Sequence, residues 1–320
     1  MKILVTGGAG FIGSHLVEHL LQLGHCPSII DDLNPFYLPD LKRQNLDSIR
    51  QQGDCHFHLA DIRNAEQVFE IVKQEQPEAI IHLAARAGVR PSLEQPLLYE
   101  TVNVHGTLTM LEAARIAGVR KFIFASSSSI YGVANQVPFR EDDGAVMPIS
   151  PYAASKISGE KFCYTYAHLY GISTICLRFF TVYGPRQRPD LAIRKFTEMI
   201  DDGRPIPVFG DGSTGRDYTF VDDTVNGIIA ALNHTCTFDV FNLGNSHPIT
   251  LNQMIRAIEQ ALGKEAVTRR LPDQPGDVPI TYADISKAVR LLGYNPSTAF
   301  EDGIERFVEW YRASRANMAP

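Results

Sequence analysis

Thr6-Gly7-Gly8-Ala9-Gly10-Phe11-Ile12-Gly13 stands between a short apolar run, 3–5, and a stretch whose Leu16, Val17, Leu20, Leu21 and Leu23 recur at helical spacing. Gly7, Gly10 and Gly13 give Gly-x-x-Gly-x-x-Gly, one residue longer between its first two glycines than the commonest dinucleotide fingerprint. The physical needs are the same: a tight turn, close backbone approach to a diphosphate, and close packing of helix on strand. The following helix start turns N–H donors and a partial positive charge toward that loop. A plain glycine turn has the same spacing. The dinucleotide reading rests on where the loop sits, at the head of a strand–helix series.

That series fills the first 180 residues. Apolar runs at 3–5, 28–30, 56–60, 79–83, 121–125 and 173–179 are short and bounded by turn residues, as strands covered on both faces are. Between them, Val68, Phe69, Ile71 and Val72 mark one helix and Leu108, Leu111, Ala114 and Ala117 another, while Gly24 stands where the first helix should stop. The alternation predicts an α/β chain with a Rossmann-type, doubly wound parallel sheet and right-handed crossovers. After Gly184 prolines and glycines crowd in, with strands expected at 207–209 and 240–243 and helices at 251–262 and 300–313. The expected organisation is a dinucleotide-binding domain, 1–180, and a smaller C-terminal lobe, 181–320, that binds substrate and returns some segments to the sheet.

Composition narrows the function. The 320 residues carry 30 Lys and Arg against 36 Asp and Glu, net −6, so no basic face argues for nucleic acid. The five cysteines are odd in number and scattered without a Cys-x-x-Cys pair, which suits reduced thiols in a cytoplasmic protein. Met1-Lys2-Ile3-Leu4-Val5 leads straight into the glycine loop, leaving no room for a cleavable signal, and no stretch approaches the ~20 apolar residues of a membrane span. The ten histidines suggest no metal framework; His56 and His58 share a strand face, read as sheet-edge packing. Gly-x-Ser-x-Gly is absent, so no nucleophile elbow is present.

Asp31 and Asp32 end the second strand, some 18 residues beyond Gly13. A carboxylate there accepts hydrogen bonds from ribose hydroxyls and repels a 2′-phosphate, favouring NAD over NADP. Asp61 ends the third strand in the same way and could meet the adenine edge. Tyr152-Ala153-Ala154-Ser155-Lys156 opens a helical stretch, and residues four apart lie one above the other. A lysine beside a phenol would lower the tyrosine pKa from ~10 and make it a usable base for an alcohol proton. That spacing arises readily by chance. It gains weight by following a strand that ends in Ser126-Ser127-Ser128-Ser129, since ligands bind at the carboxyl ends of parallel strands.

Together the glycine loop, the serine strand, the Tyr152–Lys156 pair and Arg216-Asp217-Tyr218 resemble the extended short-chain dehydrogenase/reductases, in their nucleotide-sugar epimerase branch, over nearly the whole chain. The strings Asp31-Asp32-Leu33-Asn34 with Tyr37 and Leu41-Lys42-Arg43, Ala87-Gly88-Val89-Arg90, Arg178-Phe179-Phe180-Thr181-Val182-Tyr183-Gly184-Pro185, Arg188-Pro189-Asp190 and Gln274-Pro275-Gly276-Asp277-Val278 most resemble UDP-glucuronate 4-epimerases. The resemblance implies an enzyme with tightly bound NAD, regenerated each turnover. Tyr152 would take the 4′-hydroxyl proton while hydride leaves C4′, Lys156 would hold the nicotinamide ribose, Ser127 would hydrogen-bond the reacting oxygen, and Ser129 matches a second catalytic hydroxyl two residues on. Around the cofactor it implies Gly7, Gly10, Phe11, Ile12, Gly13, Asp31, Asp32, Asp61, Ile62, Leu83, Ala84, Ala85 and Asn103. It implies a homodimer through helices near 98–117 and 152–170.

The same resemblance implies a UDP-sugar site. Thr181 and Arg188 would meet the sugar carboxylate, Arg216 the diphosphate, Asp277 the uridine ribose, and Val208 and Phe209 the uracil, with Arg90, Lys195 and Gln274 as further contacts. A planar guanidinium matches a carboxylate, and held there it opposes loss of CO₂ from the 4-keto acid. Arg188 on phosphate or in solvent is the alternative. Relatives that eliminate water or decarboxylate place an acid where Ser128 or Ser129 stands, and here only hydroxyls are found. Three other readings stay open: a UDP-glucose or UDP-N-acetylglucosamine 4-epimerase, a UDP-glucuronate decarboxylase, and a non-catalytic nucleotide-sensing protein.

Overall fold

The computed structural model describes residues 1–132, 136–143, 147–272 and 280–316. The first half runs β1 (Lys2–Thr6), α1 (Phe11–Gln22), β2 (Cys26–Asp31), α2 (Pro39–Gln52), β3 (His56–Leu59), α3 (Ala65–Glu75) and β4 (Ala79–His82), then short helices α4 (Val89–Glu94) and α5 (Pro96–Tyr99). A π-helical turn, Glu100–His105, leads into α6 (Gly106–Ala117), β5 (Lys121–Ser127), α7 (Pro151–Tyr170) and β6 (Ser173–Phe179). The second half runs β7 (Thr181–Tyr183), α8 (Ala192–Asp201), β8 (Ile206–Phe209), β9 (Gly215–Phe220), α9 (Val221–Asn233), β10 (Phe238–Leu243) and β11 (Pro248–Thr250). It ends with α10 (Leu251–Leu262), β12 (Thr268–Leu271), β13 (Ile280–Thr281), α11 (Ser286–Leu292) and α12 (Phe300–Ala316).

Seven strands form one all-parallel sheet in the order β10-β6-β5-β4-β1-β2-β3. The strand order reverses between β1 and β4, the switch point at whose carboxyl edge ligands bind in doubly wound sheets. The expected strand at 240–243 is β10, the seventh strand of this sheet, paired with β6 from Phe238↔Thr174 to Leu243↔Phe179. A second sheet joins β11, β9 and β13, with β7 also paired to β9, and a third pairs β12 with β8. The central strands are apolar on both faces: Ile3, Leu4 and Val5, Ile80 and Ile81, and Phe122, Ile123 and Phe124 are all buried. Helices cover them from either side.

Local chemistry sets the ends that matter. Helix α1 starts without a side-chain cap at Gly10 and stops where expected: Gly24 is left-handed at φ 75°, its N–H on the Leu21 carbonyl and that of His25 on Leu20. This pairing is the Schellman stop. Helix α7 begins at Ser150, whose hydroxyl accepts the Ala153 N–H at 3.1 Å, with Pro151 at the first helical position. Further along α7, Gly159 packs on Phe124 so closely that a side chain would strike the ring. Only glycine admits that approach.

Beside this contact lies a buried polar network. Glu160 accepts from the Ser126 hydroxyl at 2.6 Å and from Arg178 Nε and Nη2 at 3.0 Å each. Arg178 Nη1 donates to the Tyr131 hydroxyl, which donates to Asn242 on β10 at 2.6 Å. The Arg178 and Glu160 side chains are 6% and 7% exposed. Arg178→Met leaves the Glu160 charge buried without its partner and is expected to cost about 3 kcal/mol or more, read as a lower urea midpoint. Replacing both residues with apolar ones of similar volume should recover most of that loss.

Candidate functional site

A cleft of about 380 Å³ opens along the carboxyl edge of β1–β5, with the glycine loop at one side and α7 at the other. Its wall brings together Gly7, Gly10, Phe11, Ile12, Gly13, Asp31, Asp32, Asp61 and Ile62. It continues with Leu83, Ala84, Ala85, Ser127, Tyr152, Lys156, Thr181 and Arg188. Ser129 lies just behind, its hydroxyl 2.9 Å from that of Ser127. Asn103 backs the wall from within the π-helical turn: its amide accepts from Arg86 N at 2.8 Å and donates to the Arg86 carbonyl at 3.0 Å and to Ser155. Other expected contacts stand apart. Val208 and Phe209 lie on β8, Arg216 on β9, Lys195 on α8 and Arg90 on α4, and none lines this cleft. Gln274 and Asp277 lie outside the described residues.

The dinucleotide end fits its expected ligand. A side chain at Gly13 would run into the Gly7 carbonyl, while Gly7, at φ 72°, packs against the Ala84 backbone. The N–H groups that open α1 therefore face the cleft without side chains in the way. Asp31 is buried and already engaged, accepting from Ala9 N at 3.3 Å, Leu33 N at 2.9 Å and Lys42 Nζ at 3.1 Å. Asp32 is the more open of the two, its side chain about a third exposed. Asp61 is paired with Arg63, whose hydrogen bonds hold its carboxyl below the usual range. Ile12, Ile62, Leu83, Ala84 and Ala85 offer apolar surface for flat rings. These donors, acids and apolar walls fit NAD.

At the other end the structure corrects one expectation. Lys156 does not press against the phenol of Tyr152. Its ammonium donates to the Ala125 carbonyl at 2.7 Å and lies 6.0 Å from the Tyr152 ring centre. Burial pushes the Tyr152 phenol up, and the opposing influences are the Ser127 hydroxyl and the Arg188 charge rather than the lysine. A buried cation without a carboxylate takes the nearest carbonyl, and here the end of β5 supplies it. Tyr99 meets Tyr152 edge-on at 6.1 Å and fixes the ring.

Several contributors carried no clear mark in the sequence. Asn34, Tyr37 and Lys42 stand in the strings that bear the resemblance, and all line the cleft. Phe36 and Arg86 also line it. They lie in loops without periodicity, so only the folded chain assembles them. His82 is buried between the hydroxyls of Thr6, at 2.7 Å, and Thr107, at 3.0 Å, and burial holds it down to about 3. His15 and His19 stand four apart on α1, a spacing that serves metals elsewhere. Here the His15 ring bonds the Pro185 carbonyl and His19 the His15 carbonyl. His56 and His58 both meet Glu75 at the sheet edge.

Such a cleft, at the switch point of a doubly wound sheet and carrying a tyrosine, a lysine and serines beside a dinucleotide loop, defines a nucleotide-dependent oxidoreductase-type fold. The sequence pattern of the GDP-mannose 4,6 dehydratase family matches residues 4–307, and the chain belongs to that family, within the extended short-chain dehydrogenase/reductases. A UDP-glucuronate 4-epimerase of Thermodesulfobacterium geofontis is 43% identical over 308 residues, 96% of this chain and 95% of its own length. The crystal structure of the Bacillus cereus UDP-glucuronic acid 4-epimerase with UDP-glucuronic acid and NAD superposes with a TM-score of 0.91 at 36% identity, over 98% of this chain and all of that one. The Thermotoga maritima UDP-glucose 4-epimerase with UDP-glucose gives 0.89 at 35% identity, with the same coverage of both chains.

Burial of Lys156 lowers its ammonium to about 8, against an ordinary 10.5. The unfolded chain then binds this proton more tightly, so the burden on the native state is full below pH 8 and fades as pH rises toward 10.5. Lys156→Met is expected to stabilise the cofactor-free protein at pH 7 by on the order of 3 kcal/mol, less the loss of the Ala125 contact. Calorimetric melts should show the gain in midpoint shrinking between pH 8 and 10.

Proposed function

We propose that this chain is an NAD-dependent 4-epimerase that interconverts UDP-glucuronate and UDP-galacturonate through a transient 4-keto sugar. The observation that carries the reading is the presence of Arg188 and Thr181 in the same cleft wall as Tyr152, Lys156 and Ser127. Bound NAD would supply the reversible two-electron acceptor for C4′. Tyr152 takes the 4′-hydroxyl proton, Ser127 hydrogen-bonds the reacting oxygen, and Ser129 orients Ser127. Lys156 holds the nicotinamide ribose. Asp31 and Asp32 serve the adenosine ribose, Asp61 the adenine edge, Asn103 the strand end behind the nicotinamide, and the α1 start the diphosphate.

Arg188 supports the uronate over a neutral sugar. A guanidinium that holds the carboxylate charged opposes its loss as CO₂. The carboxylates among the described cleft-wall residues are Asp31, Asp32 and Asp61. They sit at the ends of β2 and β3, three and four strands from β5, or about 14–19 Å at the spacing of a parallel sheet. No acid there serves C5 or C6, as elimination of water would need. Arg216, Asp277, Val208, Phe209, Arg90, Lys195 and Gln274 form the UDP end of this proposal.

Two further parts complete the proposal. Copies of the chain pair through α6, α7 and the neighbouring short helices, where Leu97, Ile116, Tyr164, Leu169 and Tyr170 are exposed and apolar. The protein works in the cytoplasm, where its five unpaired cysteines stay reduced. Among the described residues no helix is long and apolar enough to cross a membrane.

Purified protein given UDP-glucuronate should yield UDP-galacturonate by proton NMR; product from UDP-glucose alone would shift the assignment to a neutral-sugar epimerase. Tyr152→Phe should lower kcat by a factor of about 10² to 10⁴. Because the Arg188 charge draws the Tyr152 pKa down, Arg188→Leu should move the acidic limb of the pH–kcat profile to higher pH, besides raising KM for UDP-glucuronate at least about tenfold. Sedimentation should show a dimer that Leu97→Arg with Leu169→Arg converts to monomers.

A further inference from the structure

Arg188 is aligned on one edge by Asp190, Nε to Oδ1 at 2.9 Å and Nη2 to Oδ2 at 2.7 Å. That partner is two residues away and 45% exposed, and a local, half-exposed pair fixes little. The other contact is aromatic. The Phe36 ring centre lies 5.2 Å from the Arg188 guanidinium carbon and 4.4 Å from that of Arg86. Both distances are within the reach of cation–π attraction.

Phe36 is itself set by the loop that follows the two aspartates. Asp32 accepts from Asn34 N at 2.9 Å and from its amide Nδ2 at 3.2 Å, and Leu33 turns the chain at a left-handed φ of 48°. Asn34 Oδ1 then accepts from Phe36 N at 3.1 Å and from Arg86 Nη1 at 2.7 Å. Arg86 has no carboxylate partner among the ion pairs of the described residues, and its buried Nε has no hydrogen-bond partner. Two guanidiniums thus share one ring in the cleft wall, with Asp190 as the carboxylate on one of them. The wall keeps an unspent positive charge and calls for an anion.

We propose that Phe36 is a positioning residue for Arg188, and that the loop carrying Asp32 and Asn34 thereby sets the preference of the cleft for a charged sugar. The inference rests on the reading of Arg188 as the partner of the sugar carboxylate. Without the ring, Arg188 is free to follow Asp190 toward solvent, and the uronate loses its aligned partner. A neutral sugar loses nothing.

The test uses NAD-loaded protein carrying Tyr152→Phe, so that ligands bind without turnover, and titrates UDP, UDP-glucuronate and UDP-glucose by calorimetry. Adding Phe36→Leu should weaken UDP-glucuronate roughly threefold to tenfold while UDP and UDP-glucose change less than about twofold. Phe36→Tyr, which keeps the ring, should restore the difference. UDP binding reports folding, and Phe36→Met replaces the leucine variant if UDP no longer binds. Equal weakening of both sugars, or no change in either, overturns the proposal. Arg188→Leu in the same background separates the two ideas. If it leaves the preference intact, the carboxylate reading itself fails; if it abolishes the preference and Phe36→Leu does not, the role of Phe36 alone is lost.

Discussion

The site depends on how closely α7 presses on β5. Gly159 against Phe124 removes the usual side-chain thickness between helix and strand. At that separation three side chains of α7 reach three consecutive residues of the strand. Lys156 meets the Ala125 carbonyl and Glu160 the Ser126 hydroxyl, while Tyr152 shares the cleft wall with Ser127, whose hydroxyl draws the phenol pKa down. Strand alternation sends Ser126 away from Ser127. The Ser126 hydroxyl therefore anchors the Arg178 network while that of Ser127 pairs with Ser129. The structural and chemical roles are neighbours because a single contact sets the distance for both.

The electrostatics of the cleft oppose those of the whole chain. The protein is acidic overall, yet among the described residues of the cleft wall Lys156 donates to a carbonyl, Arg86 to an amide beside the Phe36 ring, and Arg188 to a half-exposed aspartate beside the same ring. The acids gather at the ends of β2 and β3, where Lys42 and Arg63 already engage them. A ligand with a hydroxyl-rich end and several anionic groups matches this gradient. Cations in a low-dielectric wall attract such groups more strongly than surface lysines would.

How much of this was legible in the sequence follows from the range of each interaction. The glycine loop, the Schellman stop at Gly24 and the helices near 251–262 and 300–313 are local, and the structure holds them where turn chemistry and periodicity put them. The strand expected at 240–243 was legible as a strand, and a return of some C-terminal segment to the sheet was expected. Which segment returns was not legible, because joining β6 depends on the crossover of α9 rather than on the residues of the strand itself. The same division runs through the site. Tyr152 and Lys156 share a helix face by spacing alone, whereas the direction of the lysine was decided by a carbonyl at Ala125, distant in sequence. Phe36 and Arg86 lie 50 residues apart in irregular segments, and only the β1–β4 switch brings them together.

The pairing of β10 with β6 has a consequence for synthesis. Strand β6 ends at Phe179 and its outer neighbour begins at Phe238, so roughly sixty residues must follow before that edge is covered. A chain leaving the ribosome can wind its dinucleotide half early. Yet it carries an open, apolar strand edge until Leu243 has emerged, and α7 stays without the Asn242 end of its polar network over the same interval. The second half of the chain thus acts as the seal on the first, and a ribosome stalled within those sixty residues would hold a nascent chain open to pairing with its neighbours on the polysome.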